Sequence, residues 1–246
     1  MLPIGDEQNG RTLSPAVNTT LIAINVVVFL IEMAIASGAV PGSLDAFFAT
    51  WGMIPAEVAQ RHNLYTIVTS QFLHAGWLHL GGNMLFLWVF GDNVEDAMGH
   101  VRYLIFYLLC GSVAALAQLI SSPTSTIVLV GASGAISGVL GAYIVLFPQG
   151  RVRTLIFLGI FATVMLVPAW IVLGLWFVLQ LVSGIGTISA PGADVGGVAF
   201  WAHVGGFVAG VILVWLFRDS GAVERQRAAR AGNAAWQRTS TWRAPR

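Results

Sequence analysis

Residues 131–138 read Gly131-Ala132-Ser133-Gly134-Ala135-Ile136-Ser137-Gly138, a glycine- and serine-rich run inside an otherwise apolar segment. Ser133 and Ser137 fall one helical turn apart, and Gly134, Gly138 and Gly141 continue a face of small residues. Such a face lets a second helix approach closely, which by itself describes a packing seam. Close approach also brings any base on that second helix up to a serine hydroxyl. The candidate is His203, in Ala202-His203-Val204-Gly205-Gly206-Phe207-Val208-Ala209-Gly210, where Gly206 and Gly210 offer a matching seam. A lone serine or histidine in an apolar helix is usually structural. The pair, each on a glycine face, points to chemistry.

Composition sets the solvent. Of 246 residues, 57% are hydrophobic and 9% charged, against about 25% charged in an ordinary soluble domain. So few charges cannot clothe a water-exposed surface of this size, and the chain reads as a multi-pass integral membrane protein. Its 28 glycines lie largely within apolar runs, as transmembrane packing requires. All 12 basic residues are arginine, concentrated from Arg218 onward, in a tail with no nucleic-acid-binding signature. The single Cys110 excludes an internal disulfide or a cysteine-based metal cluster.

Taken in order, residues 1–16 form a polar segment carrying Asp6, Glu7 and Arg11, read as a tail without a cleavable signal. A first apolar span covers 17–38, with Glu32 near enough to its end to reach water. Residues 39–65 make a long aromatic-rich connection suited to the membrane interface. A second span covers 70–91, followed by the polar cluster 91–96 with Asp92, Glu95 and Asp96. A third covers 103–120, and a fourth, about 127–147, holds the serine motif. Residues 154–182 are too long for one span and too short for two. Pro168 divides them into an interfacial or re-entrant piece, 154–167, and a short fifth span, 168–182. A Gly/Ser/Pro loop, 183–198, precedes the sixth span, 199–217, and 218–246 is an arginine-rich tail. The expected fold is an all-α polytopic membrane helical bundle of six transmembrane helices, with a core at 17–217.

Arg151, Arg153 and the arginine tail assign their side to the cytoplasm, whereas 121–126 and 183–198 carry no lysine or arginine. Both termini are then cytoplasmic. Spans two, four and six all run from outside to inside, and His79, Ser133 and His203 each fall within about two turns of the start of their span. Three distant polar sites thus reach one depth below the outer surface.

A serine hydroxyl needs a base to accept its proton as it attacks a carbonyl, and a neutral imidazole can do so. No carboxylate is placed by the sequence to orient His203, so the reading is a Ser133–His203 dyad. The tetrahedral oxyanion needs preorganised donors. His79 and Asn83, four residues apart on one helical face, can donate through side-chain nitrogens, and the Ser133 amide at its helix start adds a backbone donor. His74 does not share the His79 face and reads as a structural hydrogen bonder. No H-E-x-x-H occurs, and Ala135 stands where a G-x-S-x-G elbow needs glycine.

In these motifs the sequence resembles the rhomboid intramembrane serine proteases of the six-span bacterial type. Gly131-Ala132-Ser133-Gly134 matches the family's G-x-S-G, Ala202-His203-Val204-Gly205-Gly206 with Gly210 its histidine motif, and His79-Leu80-Gly81-Gly82-Asn83 its H-x-x-x-N oxyanion element. The resemblance implies a serine endopeptidase that cuts transmembrane protein substrates near the outer membrane face. It implies no metal, nucleotide or other cofactor, and partners in those substrates and membrane lipids rather than nucleic acid. It implies a bacterial inner-membrane location, a cap over the site from 183–198, and a first loop lying partly in the membrane. The alternative is a non-catalytic relative that binds transmembrane helices; a channel or transporter would want intramembrane charges along a path. Two departures stand out. Ser137 occupies a position where well-known members place an aromatic ring against the histidine, and Trp51 is followed by Gly52 where many carry a Trp-Arg pair.

Overall fold

The computed structural model describes residues 2–6, 11–158, 161–189 and 199–240. In chain order these form strand β1 (Leu2–Asp6) and helices α1 (Ala16–Ala36), α2 (Leu44–Trp51), α3 (Pro55–Ala59), α4 (Thr66–Thr69), α5 (Trp77–Met98), α6 (His100–Ser121) and α7 (Ser133–Leu146). Strands β2 (Arg151–Leu158) and β3 (Phe161–Pro168) follow, then helices α8 (Ala169–Ser189), α9 (Phe200–Phe217) and α10 (Ser220–Ser240). Helices α1, α6 and α9, with the stretch Ala169–Gly186 of α8, are long and apolar enough to cross a membrane, and α7 is a shorter apolar helix. The outward faces carry apolar side chains such as Val27, Leu30, Leu175, Val182 and Leu216. Their backbone polar groups are closed within the helices, as hydrocarbon requires. The protein is a multi-pass membrane helical bundle.

The two small-residue faces read from the sequence meet. Helix α9 packs against both α6 and α7. A Cβ added at Gly141 would overlap the Phe207 carbonyl, one at Gly206 the Gly134 carbonyl, and one at Gly210 the Gly138 carbonyl. Backbone therefore lies on backbone along this seam. Helices drawn together by van der Waals packing in lipid need this absence of side chains.

At the far end of α7 from Ser133, carboxylates on the last turns of α5 hold other elements in place. Helix α1 has no side-chain cap of its own. Glu95 instead accepts from the Val17 and Asn18 amides at 2.9 and 2.7 Å, meeting free donors at the positive end of α1. Asp96 Oδ1 accepts from the Thr12 and Leu13 amides at 3.0 and 2.7 Å, and Arg11 pairs with Asp92. From the other terminus, Gln226 donates to Asp96, and the Asp219 amide donates to the Ala97 carbonyl at 2.7 Å. Arg227 Nε donates to the Leu146 carbonyl at 2.9 Å, closing the C-terminal end of α7. Asp219 caps α10 through the Ala222 amide, which holds its carboxyl below the ordinary value.

A three-stranded antiparallel sheet, ordered β1-β2-β3, joins this end, with Leu2 opposite Leu155 and Arg151 opposite Pro168. Helices α1 to α7 separate β1 from β2 in the sequence, yet the two strands pair along their edges.

Several local expectations change. The 154–167 stretch, expected as an interfacial or re-entrant piece, is made of the antiparallel strands β2 and β3, and α8 starts directly after Pro168. Thr154, Ile156, Phe157, Thr163, Val164 and Val167 are β-branched or aromatic and favour strand. Glu32 does not reach water; it is fully buried and accepts from the His74 amide. The cluster 91–96, placed after the second span, forms the end of α5, which continues to Met98 until Gly99, at φ +80, turns the chain into α6. Residues 183–189 of the expected loop belong to α8, and 190–198 lie outside the described residues. Both polar terminal segments contain regular elements, β1 and α10.

Candidate active site

Ser133 stands at the first residue of α7 because the chain is brought in extended and turned sharply just before it. Leu129 exchanges backbone hydrogen bonds with Met53 of the first long loop at 2.8 and 3.0 Å, and the Gly131 amide donates to the Ser70 carbonyl at 2.9 Å. Gly131 then adopts φ +127, a conformation that a side chain would strain. No side chain caps the amides of the first turn of α7.

The Ser133 hydroxyl lies 2.7 Å from His203 Nε2, across the glycine seam between α7 and α9. The other ring nitrogen, Nδ1, lies 2.7 Å from Gln180 Oε1 of α8. An amide oxygen can only accept, so the Gln180 contact calls for Nδ1–H. That leaves the Nε2 lone pair facing the serine O–H. The Trp176 ring, one turn before Gln180, is centred 5.8 Å from the imidazole, and it also neighbours Phe207 at 6.3 Å.

His79 and Asn83 project from one face of α5 toward the turn at Gly131. A Cβ there would come 2.7 Å from His79 Nε2 and 3.7 Å from Asn83 Nδ2. Both nitrogens therefore flank the backbone two residues ahead of Ser133. Behind them, His74 is buried, with Nε2 at 3.0 Å from Asn83 Nδ2 and its ring edge-on to His79 at 5.2 Å. The expectation of a structural hydrogen bond at His74 matches this contact.

Ser133, His203, His79, Asn83 and Trp176 all line one cavity of about 1610 Å³, and among the described residues no carboxylate lines it. Among the described residues, no three His, Cys, Asp or Glu side chains gather into a metal-binding group. The chemistry open to this arrangement is proton transfer from a hydroxyl to an imidazole, beside neutral hydrogen-bond donors.

Ser137, also buried, donates its hydroxyl to the Ser133 carbonyl of its own helix at 2.6 Å. Sequence reasoning also missed Gln180 and Trp176. Their four-residue spacing on the fifth apolar span, one amide and one indole on a single face, was the available signal.

A family model described as a Rhomboid domain matches residues 61–220, more than half of the chain. "Rhomboid-like protein 11, chloroplastic" of Arabidopsis thaliana is 30% identical over 178 residues, covering 70% of this chain and 59% of that protein. "Rhomboid protein 1, mitochondrial" of Saccharomyces cerevisiae is 32% identical over 166 residues, covering 66% of this chain and 44% of that protein. "Rhomboid protease GluP" of Bacillus subtilis is 30% identical over 181 residues, covering 74% of this chain and 33% of that protein. The matched part thus spans between a third and three fifths of the length of these relatives.

Proposed function

The chain belongs to the rhomboid family, and we propose that it is an intramembrane serine endopeptidase that cuts transmembrane protein substrates with a Ser133–His203 dyad. The observation that carries this reading is the 2.7 Å separation of Ser133 Oγ and His203 Nε2 on the wall of a cavity inside a membrane bundle. The protease named among the relatives supports it.

In this mechanism the serine oxygen attacks the scissile carbonyl carbon while its proton passes to Nε2. The carbonyl oxygen becomes an oxyanion beside His79, Asn83 and the free Ser133 amide, donors in place before charge develops. His203 then gives the proton to the leaving amine, and an acyl-serine remains. A water activated by the same imidazole releases the new carboxyl terminus and restores the hydroxyl. A peptide bond in a lipid-embedded helix is shielded by its own hydrogen bonds. The cavity, lined by Ser133, His203, His79 and Asn83, receives a locally unwound segment and the water that deacylation consumes.

The arginines Arg151 and Arg153 and the basic C-terminal segment support a cytoplasmic sheet end, which directs Ser133 toward the outer face of the membrane. Purified protein incubated with a model transmembrane substrate tests the function. Cleavage is expected from wild type and not from Ser133→Ala or His203→Ala. Wild type that binds the substrate without cutting it would instead establish a helix-binding, non-catalytic protein.

A further inference from the structure

We propose that Gln180 is a positioning residue for this reaction, holding His203 in the tautomer and orientation that accept the Ser133 proton, so that helix α8 carries the support on which the dyad depends. This rests on the protease reading of the site.

The geometry has three parts. Gln180 Oε1 meets Nδ1 at the same 2.7 Å at which Ser133 Oγ meets Nε2, so the imidazole is bridged between two helices. A ring free to rotate about its side-chain bonds would present either nitrogen, in either tautomer. Fixing Nδ1–H leaves one arrangement, with Nε2 as the acceptor. Trp176 lies one turn away on the same helix, its ring 5.8 Å from the imidazole, and limits tilting. Ser137, on α7, spends its hydroxyl on the Ser133 carbonyl of its own helix.

A neutral amide suits this place better than an acid. Desolvating a carboxylate in a bundle facing hydrocarbon is costly unless it is paired, whereas an amide oxygen is an acceptor without that penalty. The outer face of α8 is apolar, with Leu175, Val178, Leu179 and Val182 exposed. Gln180 is set on the opposite side. Helix α8 meets the bundle chiefly through α9, with little contact to α7. Its docking and the orientation of the base are therefore one event, and an undocked α8 leaves Ser133 beside an unconstrained imidazole.

The test compares Gln180→Met, which keeps the bulk and removes the acceptor, with Gln180→Glu, which keeps an acceptor oxygen at the same reach. Partners that orient metal-ligating histidines cost about 10- to 100-fold in affinity or activity when substituted, and a loss of the same order is taken for this imidazole. Gln180→Met is expected to lower kcat by that order with KM nearly unchanged, and Gln180→Glu to recover most of the loss. Nitrogen-15 NMR of His203 should report a single Nδ1–H tautomer in wild type and in the Ser133→Ala protein, and mixed tautomers in Gln180→Met. A loss confined to KM, equal losses in both variants, or a wild-type tautomer pattern in Gln180→Met would overturn the proposal. If wild type cleaves nothing and takes no fluorophosphonate, the protease reading fails. The NMR comparison then decides by itself whether Gln180 orients the ring.

Discussion

Ser137 donates its hydroxyl to the carbonyl oxygen of Ser133 at 2.6 Å, so the two serines of the motif are bonded to each other while only Ser133 faces His203. A serine that bonds back to the preceding turn is occupied by its own helix. Ser137→Ala should therefore keep substantial cleavage and fluorophosphonate labelling, whereas Ser133→Ala loses both. Labelling that followed Ser137 would move the nucleophile one turn along. Ser137→Phe should destabilise the protein, since overpacking costs about 1–3 kcal/mol. It should restore no activity, because Trp176 already lies beside the imidazole.

His79→Ala and Asn83→Ala should act on turnover. Loss of one oxyanion donor costs about 10²–10³-fold in kcat, and stabilisation confined to the transition state leaves KM largely alone. Steady-state kinetics on a soluble reporter substrate separates the two parameters. Changes in KM alone would reassign both residues to packing around Gly131.

Gly131→Ala meets two obstacles together. The backbone is at φ +127, and the new methyl would sit 2.7 Å from His79 Nε2. Strain of this kind costs about 1–3 kcal/mol, and relief requires either the turn or the His79 ring to move. The expected result is a lowered melting temperature together with a kcat loss at least as large as that of His79→Ala. A stable and fully active variant would show the turn to be unimportant.

Glu32→Ala and Glu32→Gln should differ. The Glu32 carboxylate accepts from the His74 amide at 3.2 and 3.4 Å, and both residues are fully buried. Alanine leaves that amide without its acceptor, a loss of about 1–3 kcal/mol; glutamine keeps an oxygen. Because His74 adjoins Asn83, turnover should fall in parallel with the melting temperature for alanine and be largely preserved for glutamine. Equal behaviour of the two would assign Glu32 a role other than acceptor.

Sidedness can be read chemically. With Cys110→Ser removing the one native thiol, Ala193→Cys in the segment before α9 should react with an impermeant thiol reagent in intact cells. A cysteine at Ser220, beside the Asp219 cap at the sheet end, should react only after the membrane is opened. The reverse pattern would invert the assigned orientation.

What was legible in the sequence is what repeats or pairs. Glycines at four-residue spacing announced the α7–α9 seam, and the depth argument drew His79, Ser133 and His203 to one cavity from three distant segments. What was not legible depends on single long-range contacts. Met53 bracing Leu129 and Glu95 capping α1 carry no periodic signal. The position of Glu32 along the first span suggests access to water, but position does not reveal that the amide of His74 lies against it. The hairpin did carry a signal in Arg151-Val152-Arg153-Thr154, whose exposed and buried residues alternate as on a strand. Uniform apolarity beyond it masked the period.

The pairing of Leu2–Asp6 with β2 also has a consequence in time. The strand made first waits for a partner that leaves the ribosome roughly 150 residues later, an interval on the order of ten seconds at translation rates of about 5–20 residues per second. Helices α1, α5, α6 and α7 are made meanwhile, and only then can the N-terminal strand close the sheet. A chain trimmed of residues 2–6 would complete its insertion yet keep β2 as an open edge. Hydrogen exchange should detect this as faster loss of protection at the β2 amides that face β1, with those facing β3 unchanged.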